Sequence, residues 1–339
     1  MTPVGILAVS HYTPETVLTN KELEGKLDTT DEWIRSRTGI HERRVASDTE
    51  TTASLGTVAA FRVLEKAGCA AEELDLVIVA TMTPDSILPA IACRIQAEIG
   101  AKNAGAFDVS IACSGFAYAL ALGCGYVASG MAKKVLVIGA DVMTRVMNWE
   151  DRGTCVLFGD GAGAALVGEV KEGYGLLAQD LGSDGRGAEH LCIPAGAGAK
   201  PVGEGDLVKQ DFTLQMNGRE VFRFAVQVMG NSAVRAAEKA GISPAEIDLF
   251  IPHQANSRII EAASKRLGVP SEKVFKNLQR YGNTSCASIP LALSEALDEG
   301  RVKEGDKVVL VGFGGGLAWG ALVFRWGGVL PQDAKVGAA

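Results

Sequence analysis

The chain has 339 residues, 47% of them hydrophobic and 22% charged, with a formal net charge of −7. Such usage belongs to folding proteins, and the length is enough for two packed halves around a sizeable core. The acidic balance argues against a nucleic-acid binder, and no run reaches the ~18 to 20 apolar residues of a membrane span.

The opening MTPVGILAVSHYTPE lacks the basic segment and the long apolar run of a secretory signal. Seven cysteines, at 69, 93, 113, 124, 155, 192 and 286, form no CxxC pair and no metal-ligand spacing. An odd number cannot all pair internally. A reducing cytoplasm and no metal are expected.

The elements then repeat. Glu65-Lys66-Ala67-Gly68 precedes the apolar strand LDLVIVA, and the same four residues return as Glu238-Lys239-Ala240-Gly241 ahead of IDLFIPH, an offset of 238 − 65 = 173. Asp75 and Asp248 keep that offset of 173, as do Gly139 in KKVLVIGA and Gly312 in DKVVLVGF. Each copy runs helix, apolar strand, Ala-rich helix, β-branched strand, the alternation of layered α/β structure. Residues 115 to 131 are so rich in small apolar side chains that a helix buried all round is predicted. Two similar halves follow, 1–171 and 172–339, stacked with sheets around central helices, and the final PQDAKVGAA is read as a loose tail.

Three Gly-rich stretches are read structurally. FGDGAGAALVG (Phe158 to Gly168) lacks the Lys-Ser/Thr of a phosphate loop and reads as a turn feeding a strand. AGAGAK reads as a surface insertion. GFGGG ends a buried strand and lets backbone approach a ligand or a helix closely.

The chemistry gathers in DVSIACSGF around Cys113, FIPHQAN around His253 and YGNTS around Asn283. A sulfur nucleophile, an imidazole and a carboxamide are side chains that thioester chemistry uses. Cys113 and Cys286 are also 173 apart, each after a strand and at the start of an Ala/Leu-rich helix. There the macrodipole and free amides can lower a thiol pKa. Spacing alone does not choose between the two cysteines. Asn283, three residues before Cys286, points to the second half supplying an amide at this place.

Residues 3 to 326 resemble the β-ketoacyl-acyl-carrier-protein synthase III family of the thiolase superfamily. Six ordered motifs carry the resemblance: DTTDEWIRSRTGIHERR, FDVSIACSGFAYAL, DRGTCVLFGDGAGAA, IPHQANSRII, GNTSCASIP and GFGGGLAWG. It implies a thiolase-like duplicated fold of two similar halves, layered α-β-α-β-α. It implies decarboxylative Claisen condensation of an acyl-CoA primer with malonyl-acyl-carrier-protein, initiating fatty acid biosynthesis through an acyl-cysteine.

By this resemblance Cys113 is the nucleophile, and His253 and Asn283 hold the malonyl thioester carbonyl. The backbone amides of Cys113 and Gly315 form the oxyanion hole. Trp33 and Arg152 sandwich the CoA adenine, Arg37 lies near its phosphates, and Gly218 and Phe222 line the pantetheine tunnel. Gln254, Ala255, Asn256, Ser257, Arg258 and Arg223 form a docking rim for an acidic carrier protein, and Leu88 shapes the end of the acyl pocket. A homodimer is implied, with no cofactor beyond the acyl-CoA substrate. The runner-up is a related enzyme of the same triad that condenses another starter in polyketide or other secondary metabolism. One departure is AGAGAKPVGEGD (Ala195 to Asp206), longer than the family pattern leads one to expect.

Overall fold

Continuous Val, Ile and Leu runs signal strands buried on both faces, and they assemble into two sheets. The computed structural model describes residues 2–198 and 208–328. Its first sheet orders five strands as Val4–Tyr12, Asp160–Glu169, Val135–Val142, Leu76–Ala80 and Gly105–Val109. The second orders four as Leu249–Pro252, Lys307–Gly314, Ala318–Arg325 and Gly175–Ser183. FGDG does feed a strand, as its composition predicts.

The repeat persists down to register. Leu76 pairs in parallel with Val135, and Leu249 with Val308, so both partners are displaced by 173. Asp75 accepts from the Lys133 and Lys134 amides where Asp248 accepts from the Lys307 amide. Glu73–Lys134 and Glu246–Lys307 ion pairs, at 2.5 and 2.6 Å, flank these turns. Exposed pairs of this kind are screened by solvent and contribute little, so they record the duplication more than they stabilise it.

The offset breaks at the last hairpin. Residues 143–159 join Val135–Val142 to Asp160–Glu169, whereas 315–317 suffice between Lys307–Gly314 and Ala318–Arg325. The longer connection carries Arg152 and Phe158, so one half alone supplies these side chains. Where the first sheet has its edge strand Gly105–Val109, the second has a single parallel bridge, Phe250 to Val274.

Helices Gly115–Ala128 and Ser288–Asp298 lie between the sheets. Phe116, Leu120, Ile289 and Leu293 share one core with Ile78 and Val137 of the first sheet and Ile251 and Leu310 of the second. Helix Thr52–Ala67 covers the outer face of the first sheet, and Gly218–Lys239 with Ser257–Leu267 covers that of the second. This is the α-β-α-β-α layering implied by the resemblance.

One expectation is corrected. Helix Gly115–Ala128 is not buried all round: Leu122 is 41% exposed, with Tyr118 and Tyr126 partly so. Phe116 and Leu120 join the small residues on its buried faces, while Leu122 and, in part, Tyr118 and Tyr126 stand on an outer face. The fully buried helix is its counterpart, where every residue from Ser288 to Leu297 is buried. Among the described residues no helix is long and apolar enough to cross a membrane. Residues 199–206 of the Ala195 to Asp206 insertion, and the terminal PQDAKVGAA, lie outside the described residues.

Candidate active site

A short turn, Ala112–Ser114, separates the strand Gly105–Val109 from helix Gly115–Ala128. Ala112 adopts φ +46°, a left-handed conformation uncommon outside glycine, and sets Cys113 at the helix entrance. The second half copies this elbow: Ser285, 173 positions after Ala112, has φ +50° and precedes Cys286. Geometry separates the two cysteines. Cys113 lines a cavity of about 100 Å³. Cys286 does not; its buried thiol donates to the Ala112 carbonyl at 3.0 Å.

Gly314 ends its strand directly against the nucleophile. A β-carbon there would lie 2.6 Å from the Cys113 nitrogen, so only glycine allows this approach. Gly315, predicted as an oxyanion donor, is buried one residue further on, where a β-carbon would lie 3.5 Å from that of Ala112. It is Gly314 that lines the cavity.

His253 follows the strand Leu249–Pro252 and joins the same cavity, its ring edge-on to Phe313 at 5.5 Å between centroids. Its Nδ1 lies 2.5 Å from the Ser288 hydroxyl. Asn283 is clamped by its backbone, whose N–H donates to the Leu157 carbonyl at 2.8 Å and whose carbonyl accepts from the Gly159 N–H at 3.1 Å. The side-chain Oδ1 accepts from the Ser285 N–H at 2.8 Å. That bond turns the Nδ2 donors the other way, toward the cavity that Asn283 lines. Three segments far apart in the chain thus meet at one apolar-walled cleft.

The electrostatics correct the expected low thiol pKa. Burial pushes the Cys113 thiol up to about 12; the Ser285 hydroxyl, 3.4 Å from Sγ, and the cysteine's own amide act against this, while Asp141 adds to it. Loss of hydration outweighs the helix entrance. Burial also lowers His253 to about 3. The resting pair is therefore a neutral thiol and a neutral imidazole. Because the thiolate fraction grows tenfold per pH unit until the pKa is reached, alkylation of Cys113 by iodoacetamide is expected to accelerate through pH 9 without levelling. A plateau near pH 7 would contradict this.

The flanking residues divide. Gly218 and Phe222 line the cavity with Val221, Met216 and Ile259, as expected of a tunnel wall. The Arg152 guanidinium lies over the half-buried Trp33 ring at 5.4 Å and bonds the Asp28 carbonyl. The two are together but in contact, and a base between them needs roughly 7 Å, two van der Waals spacings. Arg37 is exposed, and its carbonyl accepts from Asn256 Nδ2 at 3.1 Å. Among the described residues no cluster of three or more His, Cys, Asp or Glu is placed to hold a metal ion.

The docking rim is smaller than predicted. Gln254 is buried: Nε2 donates to the Pro252 and Phe275 carbonyls, and Oε1 accepts from the Asn277 and Leu278 amides. All its polar atoms serve the interior. Ala255 is likewise buried and lines the cavity. Asn256 and Ser257 are partly exposed, and Arg258 and Arg223 are exposed. Asn256 caps the helix Ser257–Leu267, and Arg258 donates to the Ser36 carbonyl at 3.0 Å. Arg223 pairs with Glu220. Leu88 is 83% exposed and lies outside the cavity of its own chain, so within one chain it shapes no acyl pocket.

Sequence reasoning missed Ser285 and Ser288. Both lie within GNTSCASIP, but their partners Cys113 and His253 are 172 and 35 positions away, and only the fold reveals those contacts. Leu157, Phe158 and Phe313, further cavity walls, gave no signal beyond lying in or beside recognised motifs.

The chain is similar in sequence and fold to known proteins. Residues 107–185 match the family described as 3-oxoacyl-[acyl-carrier-protein] synthase III, and residues 237–326 match its C-terminal region. The beta-ketoacyl-[acyl-carrier-protein] synthase III of Desulfitobacterium hafniense is 52% identical over 326 residues, 96% of this chain and 98% of the relative. The crystal structure of the Thermus thermophilus enzyme of that name is 51% identical, with TM-score 0.89, covering 96% of this chain and 100% of that one. The Pseudomonas aeruginosa 3-oxoacyl-(acyl carrier protein) synthase III is 39% identical with TM-score 0.89, covering 97% and 100%.

Proposed function

The chain belongs to the 3-oxoacyl-[acyl-carrier-protein] synthase III family, and on that premise we propose that Cys113, His253 and Asn283 carry its chemistry. The reaction is the condensation that initiates fatty acid synthesis, joining an acyl-CoA primer to malonyl-acyl-carrier-protein. A secondary-metabolism starter is not favoured, given relatives and structures at 51% to 52% identity that carry the synthase III name. The meeting of the three side chains in one cavity supports the residue assignment.

In the first step the Cys113 sulfur bonds the acyl carbon, the bond to the CoA sulfur breaks, and the thiol proton leaves on CoA. The thiolate that forms is held by the Ser285 hydroxyl and the Cys113 amide. In the second step the malonyl carboxylate leaves as CO₂. The electron pair left behind spreads as an enolate onto the thioester oxygen, where His253 and Asn283 donate. Donors fixed in place and shielded from water stabilise such charge without reorganising. A carboxamide cannot protonate the carbon, and an imidazole neutral above pH 3 does so poorly. The enolate carbon attacks the acyl group, the bond to Cys113 breaks, and its sulfur regains a proton from solvent.

Trp33 and Arg152 are assigned to the adenine, which replaces their mutual contact by stacking on both faces. Trp33→Ala is expected to raise KM for acyl-CoA about tenfold with kcat little changed. An unaltered KM would remove the assignment. Arg258 and Arg223, with Arg37, are assigned to the acidic carrier protein, whose charge they complement.

The homodimer is assigned to the edge of the first sheet. Among the described residues strand Gly105–Val109 has one unpaired side, Phe107 packs on Tyr126 at 6.5 Å, and Ile87 and Leu88, 80% and 83% exposed, shortly precede Ile91 and Ala92, whose amides bond the Asp108 carboxylate of that strand. An open edge beside apolar side chains invites pairing with a second copy. Leu88 would then touch the partner rather than its own cavity. The double variant Ile87→Glu, Leu88→Glu is expected to sediment as a monomer at micromolar concentration where the wild type sediments as a dimer. A variant dimer of unchanged affinity would overturn the placement. Seven free cysteines favour a cytoplasmic location, which cell fractionation checks.

A further inference from the structure

Ser288 opens the helix Ser288–Asp298, where a serine commonly caps the helix or bonds back to a carbonyl four residues earlier. It does neither. Ser288 and His253 are each 1% exposed, and among the described residues the one partner of the Ser288 hydroxyl is His253 Nδ1, at 2.5 Å. A buried hydroxyl hydrogen needs an acceptor. If Nδ1 carried the ring proton, two hydrogens would face each other across this contact unless the hydroxyl turned its own toward nothing. Satisfaction requires that Ser288 donates and Nδ1 accepts. The proton of a neutral imidazole then sits on Nε2, which no described residue bonds, on the ring that lines the cavity.

We infer that Ser288 is a positioning residue that holds His253 in the Nε2–H tautomer, so that the imidazole offers the thioester oxygen a donor. The inference rests on the reading that His253 donates to that oxygen. The neighbouring amide is set in the same sense: the Ser285 N–H occupies Asn283 Oδ1 and leaves Nδ2 for the cavity. One turn, residues 285–288, thus points two donors at one place. A further consequence is that His253, with Nδ1 occupied and Nε2 protonated, does not take the Cys113 proton, in keeping with its departure on CoA.

The test is ¹⁵N NMR of histidine-labelled protein, which has four histidines, with the His253 signals assigned by their loss in His253→Ala. Wild type near pH 7.5 is expected to show a protonated Nε2 and an unprotonated Nδ1. Ser288→Ala is expected to weaken that preference and to slow malonyl-acyl-carrier-protein decarboxylation ten- to a hundredfold, the rough range for losing a residue that orients a functional histidine, with less effect on acylation. Ser288→Thr, which keeps the hydroxyl, is expected to recover decarboxylation. A wild-type Nδ1–H tautomer overturns the inference, as does unchanged decarboxylation in Ser288→Ala. Should that variant fail to fold, the wild-type spectrum decides alone. If His253→Ala decarboxylates normally, the reading of His253 as donor falls while the tautomer result stands by itself.

Discussion

Cys113→Ala is expected to lower condensation by a factor on the order of 10⁶, the scale seen when a nucleophile is removed, while Cys286→Ala lowers it less than tenfold. The contrast is informative because the two thiols are related by the internal repeat and both follow a left-handed residue. Their surroundings differ. Cys113 opens on the cavity with Ser285 beside its sulfur, whereas Cys286 is buried, spends its hydrogen on the Ala112 carbonyl and does not line the cavity. Removing the second thiol leaves the Ala112 carbonyl with the Gly115 N–H as its remaining donor and opens a void the size of one sulfur atom. This costs stability on the order of 1 to 2 kcal/mol, read as a fall in Tm. Condensation rates of the two variants with a common acyl-CoA decide the matter. Equal losses would mean that Cys286 takes part in the chemistry.

The second large effect concerns the donors. His253→Ala and Asn283→Ala are each expected to slow malonyl-acyl-carrier-protein decarboxylation by roughly 10² to 10³, the ~2.7 to 4 kcal/mol that a fixed donor to developing charge typically supplies. Acyl transfer from CoA to Cys113 is expected to survive both changes, because the thiol and the Gly314 backbone beside it remain. Asn283→Asp is the sharper variant. Its carboxylate still accepts from the Ser285 N–H, preserving the turn, but it presents negative charge to an enolate and is expected to be worse than Ala. Decarboxylation measured separately from acylation checks the assignment. Loss of acylation to the same degree would show instead that these residues hold the cavity together.

Much of this was legible in the chain because the duplication is written in shared residues. Glu65 to Gly68 and Glu238 to Gly241 announced the offset, and the strands, turns and two elbows obey it. The triad was legible as three motifs. What escaped depended on neighbours that spacing does not show. The exposed face of helix Gly115–Ala128 looks in composition like its buried face, since an outer apolar face and a tightly packed inner one use similar residues. Gln254 looked like a surface polar residue, yet four interior partners bury it. The thiol of Cys113 was expected to be acidic from its helix entrance, but burial dominates. Leu88 is exposed and lies outside the cavity that Cys113 lines, which a single sequence does not reveal. Ser285 and Ser288 act on residues that only the fold brings near.

The most direct measurement is mass spectrometry of the wild-type protein after brief incubation with acetyl-CoA and other short acyl-CoAs, intact and after digestion, followed by a chase with malonyl-acyl-carrier-protein. One acyl group is expected on the peptide containing Cys113, and the chase is expected to remove it as 3-ketoacyl-acyl-carrier-protein. An adduct on Cys286, or one on Cys113 that leaves only as free acid, would contradict the account.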